Sequence, residues 1–308
     1  MKICKAVVPI AGLGTRLFPA SHACKKELFP VVGPDGIARA LVHYQIMDLM
    51  DAGIEQICII VRPGEEQLVI SYFQGPEESY LGRLEKYPHL AQEAERMRAV
   101  LDRISFAAQE CQEGYGHAVY QSKAFANGGP VLLCLGDHLF RGGNPSCHSQ
   151  LMRAYEACGG KSVSAVNRIH ADDLKGYGAI AGKRLQTNPD LIDVSLIIEK
   201  PSVQVARKEL LVDGLEADEF LGWFGMHALS PLIYDILEEM IAKDIRQKGE
   251  FQLTYAQELQ RQREGYCALE MKDGKRFDFG TAQDFVKSVT EFAVIQIQDP
   301  DKAEPNKG

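Results

Sequence analysis

The chain is predicted to be an α/β protein, with helices on both sides of a mixed, mainly parallel central sheet. Three observations predict this. Short aliphatic and β-branched runs alternate with helix-period stretches over the first half, the pattern of a parallel sheet flanked by helices. The composition, 45% hydrophobic and 25% charged in 308 residues, suits a chain that buries a large core. Beyond about residue 160 strand-like runs dominate, as at the mixed edge of such a sheet.

Taken in order, residues 7–10, 56–61, 104–108 and 131–135 are apolar runs that suit strands buried on both faces. Between the first two, "ARALVHYQIMDLMDAG" sets Leu41, Tyr44, Met47 and Leu49 on a helical period and stops at Gly53, which completes a βαβ unit. A second helix is expected after Pro88, where Leu90, Ala94, Met97, Leu101 and Ile104 form an apolar stripe among charges that packs on the chain's own sheet. Strands follow at 162–166, 194–198 and 220–227, then a helix after Pro231, another after Phe251 and a last one from Thr281 to about Gln296. The tail "DPDKAEPNKG" carries little to anchor it and is expected to be flexible over 299–308. No repeat or low-complexity linker divides the chain, so one domain over 1–298 is expected.

Lys and Arg number 34 against 42 Asp and Glu, and the net charge of -8 argues against a nucleic-acid or membrane surface. Any anion site is therefore local. No signal-peptide pattern and no long apolar stretch is read at the N-terminus or elsewhere, so a cytoplasmic protein is expected. Eight cysteines without a CxxC pair read as reduced, structural thiols.

The stretch "VVPIAGLGTRLFPASHACKKELFP" carries the first chemical signal. A glycine loop after a strand can turn successive backbone N–H groups toward phosphate oxygens. Gly12-Leu13-Gly14-Thr15-Arg16 lacks the ending of a Walker A loop, and no third glycine completes a dinucleotide fingerprint. A tight turn alone would explain two glycines. Arg16 just downstream and Lys26 in "KKELFP" make a polyphosphate the better match, since both are fixed cations beside an amide-lined loop.

"AGLGTRLFPAS" followed by "KKELFPVV" resembles the signature of the nucleoside-diphosphate-sugar pyrophosphorylases, also called sugar-1-phosphate nucleotidylyltransferases. Later motifs resemble their bacterial uridylyl-transferring branch, and the likeness runs through six ordered motifs over residues 5–289. The resemblance implies a Rossmann-like, three-layer nucleotidyltransferase fold, with a nucleotide half over about 1–145 and a sugar half over about 146–298. It also implies that Ala11, Gly12, Gly14, Thr15, Arg16 and Lys26 hold the triphosphate nucleotide, Arg16 and Lys26 acting catalytically on its phosphates. In "QECQEGYGHAV" the match assigns Gln109 and the Gly114 backbone to the base, an amide offering the donor and acceptor that an imide edge needs.

"VLLCLGDHLF" ends a strand at Asp137, which the resemblance pairs with Asp278 of "RFDFG" as Mg²⁺ ligands, Asp137 also serving the nucleotide. Taken singly, either aspartate reads as a turn or cap residue. "KGYGAI", "IIEKP" and "GEFQLTYAQELQ" bring Gly178, Glu199, Lys200 and Glu250 to the sugar phosphate, with His138 beside Asp137, and Lys200 is the third catalytic cation. The implied activity is transfer of a uridylyl group from UTP to glucose-1-phosphate with Mg²⁺, releasing pyrophosphate. Implied partners are the nucleoside triphosphate and the sugar-1-phosphate, with further copies of the chain in a dimer or tetramer.

Some positions depart from the branch's pattern. Lys25 stands where proline is common, Arg39-Ala40 replaces a Lys-Pro pair after "GPDGIA", "LGD" replaces "LPD", and Trp223 in "GWFGMHAL" is unusual. These leave open a sister enzyme with another base or sugar, dTTP among the nucleotides, and a non-catalytic paralogue that binds nucleotide-sugars. Loss of Arg16, Lys26, Asp137 or Asp278 would favour the paralogue, and all four are present.

Overall fold

Alternating side chains decide the architecture. In the first strand, Lys5–Pro9, Ala6 and Val8 point into one apolar cluster and Val7 into another, so both faces must be covered. The structure, a computed structural model, describes residues 1–84 and 86–295. Its strands are β1 (Lys5–Pro9), β2 (Pro30–Val32), β3 (Ala38–Ala40), β4 (Gln56–Val61), β5 (Ile104–Ala108), β6 (Val131–Cys134) and β7 (His138–Gly142). They continue as β8 (Val163–His170), β9 (Gly178–Leu185), β10 (Asn188–Glu199), β11 (Glu219–Leu229), β12 (Cys267–Glu270) and β13 (Gly274–Asp278).

Nine of them form one sheet in the order β5-β4-β1-β6-β11-β8-β12-β10-β9. β5, β4, β1 and β6 are parallel neighbours, as the βαβ reading expected. β11 and β10 run against the other seven strands, so the sheet is mixed but mainly parallel in strand direction. β11 pairs β6 on one side and β8 on the other, which carries the sheet without a break past residue 145. Two small ribbons, β2 with β3 and β13 with β7, stand apart from it.

The helix Leu41–Asp51 matches the sequence reading, with Gly53 at φ 93 just beyond it. The next apolar stripe is cut short. The helix Pro88–Ala99 gives way to a tight turn at Leu101–Arg103, and Ile104 opens β5 opposite Ile57. Pairing with β4 takes Ile104 out of the helical stripe, while Met97, Leu101 and Ile104 still pack on the same core. "GPDGIA" is the turn of the β2/β3 ribbon, closed by Gly33 N–H donating to the Ile37 carbonyl at 3.0 Å. The later helices are Leu232–Ala242, Leu253–Glu264 and Ala282–Ala293; Gln296 and the tail 299–308 lie outside the described residues. All eight cysteines are free thiols, and no helix of the described residues is long and apolar enough to cross a membrane.

Leu133 is fully buried in the middle of β6. Leu133→Ala should cost about 2 to 5 kcal/mol of folding stability, whereas Leu13→Ala, at a position 55% exposed, should cost roughly a tenth of that. Urea unfolding midpoints of the two variants check the contrast.

Candidate active site

Neighbouring parallel strands bring distant loops together at their carboxyl ends, where open α/β sheets bind ligands. β1 runs into Ala11, Gly12 and Gly14, and its neighbour β6 runs into Asp137. Gly14 sits at φ 66, and Lys26 folds back so closely that a Cβ on Gly14 would lie 3.6 Å from its Cδ. Thr15 and Arg16 follow in an exposed tight turn.

Opposite charges then gather around Asp137. Lys26 Nζ donates to Asp137 Oδ2 at 2.6 Å, and His138 Nδ1 lies 2.9 Å from Oδ1. The β7/β13 ladder pairs His138 with Asp278, which puts His138 Nε2 3.3 Å from Asp278 Oδ2. Gly280 marks the convergence: a Cβ there would lie 3.0 Å from Asp278 Oδ1, 3.1 Å from Asp137 Oδ2 and 3.5 Å from Arg16 Nη2. A methyl-sized space is thus framed by two carboxylate oxygens and a guanidinium. Burial alone would raise the Asp137 carboxyl, but the charge and hydrogen bond of His138, with those of Lys26, hold it well below the usual carboxylate range. For Asp278 too, burial is outweighed, chiefly by the hydrogen bond and charge of His138, and its carboxyl is lowered. His138 is raised in return: the two carboxylates outweigh its desolvation. Both ring nitrogens of His138 face carboxylates, Nδ1 that of Asp137 and Nε2 that of Asp278.

A further layer behind Lys26 was not anticipated. Lys25 is buried and donates to Glu65 Oε2 at 2.6 Å, so the lysine found in place of proline points inward. Glu27 is buried between the two lysines, 3.9 Å from Lys25 Nζ and 3.6 Å from Lys26 Nζ, and its Oε2 has no hydrogen-bond partner among the described residues. Desolvation outweighs both lysines and lifts the Glu27 carboxyl to about 7. Its only sequence signal was its position inside "KKELFP".

Gln109 and Gly114 meet as expected, Gln109 Nε2 donating to the Gly114 carbonyl at 3.2 Å, with His117 Nδ1 3.2 Å away to hold the amide. Glu250 also falls here: a Cβ on Gly114 would lie 2.9 Å from that of Glu250, whose side chain is exposed. At the end of β10, Thr254 Oγ1 donates to Glu199 Oε2 at 2.7 Å, and Lys200 Nζ stands 3.7 Å from Glu199 Oε1, half-exposed. A Cβ on Gly178 would strike Trp223 Nε1 at 2.5 Å and Glu199 Oε2 at 2.9 Å, so only glycine admits this contact. The Trp223 N–H is buried without a partner. Lys200 itself sits at φ 49, a backbone state that side-chain-bearing residues avoid and that clusters at functional sites.

A nucleotidyl transferase family model matches residues 5–293. UTP-glucose-1-phosphate uridylyltransferase 1 of Staphylococcus saprophyticus is 30% identical over 294 residues, covering 96% of this chain and 94% of the relative. The enzyme of the same name from Streptococcus pyogenes is 28% identical over 302 residues, covering 96% of this chain and 91% of the relative. Among solved structures, a UDP-glucose pyrophosphorylase complexed with UDP-glucose aligns with a TM-score of 0.74 at 25% identity, over 94% of this chain and 98% of that one. A UTP-bound UGPase from Acinetobacter baumannii has the same TM-score of 0.74 and 25% identity, over 94% and 93% of the two chains.

Glu27 yields a pH prediction. The folded protein keeps the Glu27 proton up to about pH 7, while a free carboxyl releases it near 4.5, so stability falls as pH rises through that window. Glu27→Gln should therefore stabilise the protein by on the order of 2 kcal/mol at pH 8, the gain shrinking toward pH 5. Urea unfolding of both proteins from pH 5 to pH 8 measures it.

Proposed function

The chain belongs to the nucleotidyl transferase family, and from that premise we propose that it transfers the uridylyl group of UTP to glucose-1-phosphate, releasing pyrophosphate. The observation that carries this reading is the convergence of Arg16, Asp137 and Asp278 on the space beside Gly280, with Lys26 bonded to Asp137. That arrangement suits a crowded group of phosphate oxygens and a divalent cation, and nothing about it suits a neutral ligand.

The reaction needs no general base. A phosphate monoester loses its second proton near pH 6, so glucose-1-phosphate is mostly a dianion at pH 7 and attacks the α-phosphorus as it stands. A new bond forms from the sugar phosphate oxygen to that phosphorus. The bond to the β-phosphate oxygen breaks, and pyrophosphate leaves with the electron pair. The barrier is the approach of two anions. The amides of the Gly12–Gly14 loop, Arg16 and Lys26 brace the triphosphate, Gln109 and Gly114 hold the base, and Lys200 orients the attacking phosphate, with Glu199 accepting from sugar hydroxyls.

Asp137 and Asp278 fit a hard divalent ion. Both are held ionised, and their oxygens face one space that a Cβ would fill. Mg²⁺ is usually held by one or two carboxylates together with substrate phosphates and waters, a donor set these two aspartates match. Mg²⁺ held there would supply charge neutralisation at the phosphate oxygens.

The test is pyrophosphate release from purified protein with each of four nucleoside triphosphates, several sugar-1-phosphates and Mg²⁺. UTP with glucose-1-phosphate should be turned over best, and turnover should stop with EDTA and return with added Mg²⁺. Lys200→Ala should lower turnover by about 30- to 1000-fold. Because Lys200 is half-exposed, its unfolding midpoint should stay where it was. Full activity in that variant would remove Lys200 from the mechanism.

A further inference from the structure

Arg276 lies two residues before Asp278 on β13, so both side chains leave the same face of the strand, roughly 7 Å apart along it. Its partners lie on the other half of the site. Arg276 Nη1 donates to the Trp223 carbonyl at 2.9 Å and Nη2 donates to the Tyr177 hydroxyl at 2.6 Å, while the guanidinium stacks 4.4 Å from the Tyr177 ring centroid. Both partners shape the sugar side. The Tyr177 carbonyl accepts the Lys200 N–H at 3.2 Å, and the Trp223 indole edge packs against Gly178.

We infer that Arg276 is a positioning residue that fixes the spacing between Lys200 and the Asp278 carboxylate, and so between the attacking phosphate and the nucleotide. The inference rests on the proposed function. Three features point to position over simple stability. The two acceptors are a carbonyl and a hydroxyl, and among the described residues Arg276 makes no ion pair that would repay burying part of its charge. The planar fork fixes both donors in one geometry, as a lysine cannot. The segment it grips through Tyr177 is the one that supports the strained backbone of Lys200. A misplacement of about 1 Å between reacting groups can cost on the order of 100-fold in rate without weakening the binding of either substrate.

Two variants test it. Arg276→Lys should lower kcat by roughly 10- to 100-fold, and Tyr177→Phe, which keeps the ring and loses only the acceptor, by a smaller factor of about 3 to 10. In both, KM for UTP should stay within about twofold of wild type, because the nucleotide contacts are untouched. Trp223 is the chain's one tryptophan, so its emission should change in Arg276→Lys before any substrate is added. A merely structural Arg276 would lower the unfolding midpoint and leave kcat per folded molecule unchanged. Unchanged kcat in both variants, or a raised KM for UTP at constant kcat, would overturn the inference while leaving the proposed function standing. A wild-type protein that releases no pyrophosphate from UTP and glucose-1-phosphate is a separate result, seen before any variant is made, and it would overturn both.

Discussion

Asp137, in the turn between β6 and β7, and Asp278, at the end of β13, are far apart in sequence and aim oxygens at the same small space. Two carboxylates so close would ordinarily share a proton, since each ionised group raises the other. Here both are held ionised, because His138 lies between them, Lys26 is bonded to the first and the Gly280 N–H donates to the second. Much of the surrounding structure serves that electrostatic arrangement. The β7/β13 ribbon exists outside the main sheet, and its register brings His138 level with Asp278. The parallel pairing of β1 and β6 brings the glycine loop, and with it Lys26, to Asp137.

Charge balance extends one layer further in. Lys25 is neutralised by Glu65, and Glu27, caught between two lysines yet desolvated, is poised near neutrality. A cation that faces phosphates must not be drawn inward by a strong buried anion. With Lys25 committed to Glu65 and Glu27 only partly ionised, Lys26 is left to the Asp137 side. Lys25, buried and bonded to Glu65, is therefore part of the inner scaffold.

Local signals made much of this legible in the sequence. The parallel half of the sheet is read from short continuous apolar runs alternating with helix-period stretches, and the structure shows why the runs are continuous: β1, β4 and β6 face an apolar cluster on each side. The glycine loop, Arg16, Lys26, Asp137 and Asp278 lie inside short motifs, and the structure gathers them in one place. What stayed hidden depended on distant partners. Ile104 fits a helical stripe equally well until β4 claims it. Lys25 finds Glu65 forty residues away, and His138 finds Asp278 only through a ribbon whose second strand is 140 residues downstream. Glu250 is close to "LTYAQELQ" in sequence, but the turn before Phe251 carries it to Gly114. No spacing rule could have given these contacts, because each is set by topology.

The two halves of the site are built on different principles, and the difference bears on how they act together. Around Asp137 the charged groups are mostly buried and matched within the protein, so they hold a fixed arrangement. Around Glu199 the chain offers a half-exposed lysine on a strained backbone and an indole N–H without a partner among the described residues. Strain of that kind, of order 1 to 3 kcal/mol, persists only where surrounding contacts enforce it. At Lys200 those contacts run through Tyr177 to Arg276, on the strand that ends in Asp278. The Arg276 guanidinium thus ties the backbone of Lys200 to the strand that carries Asp278. In a reaction whose chief obstacle is bringing two anions into line, the precision of that joint matters more than added affinity on either side.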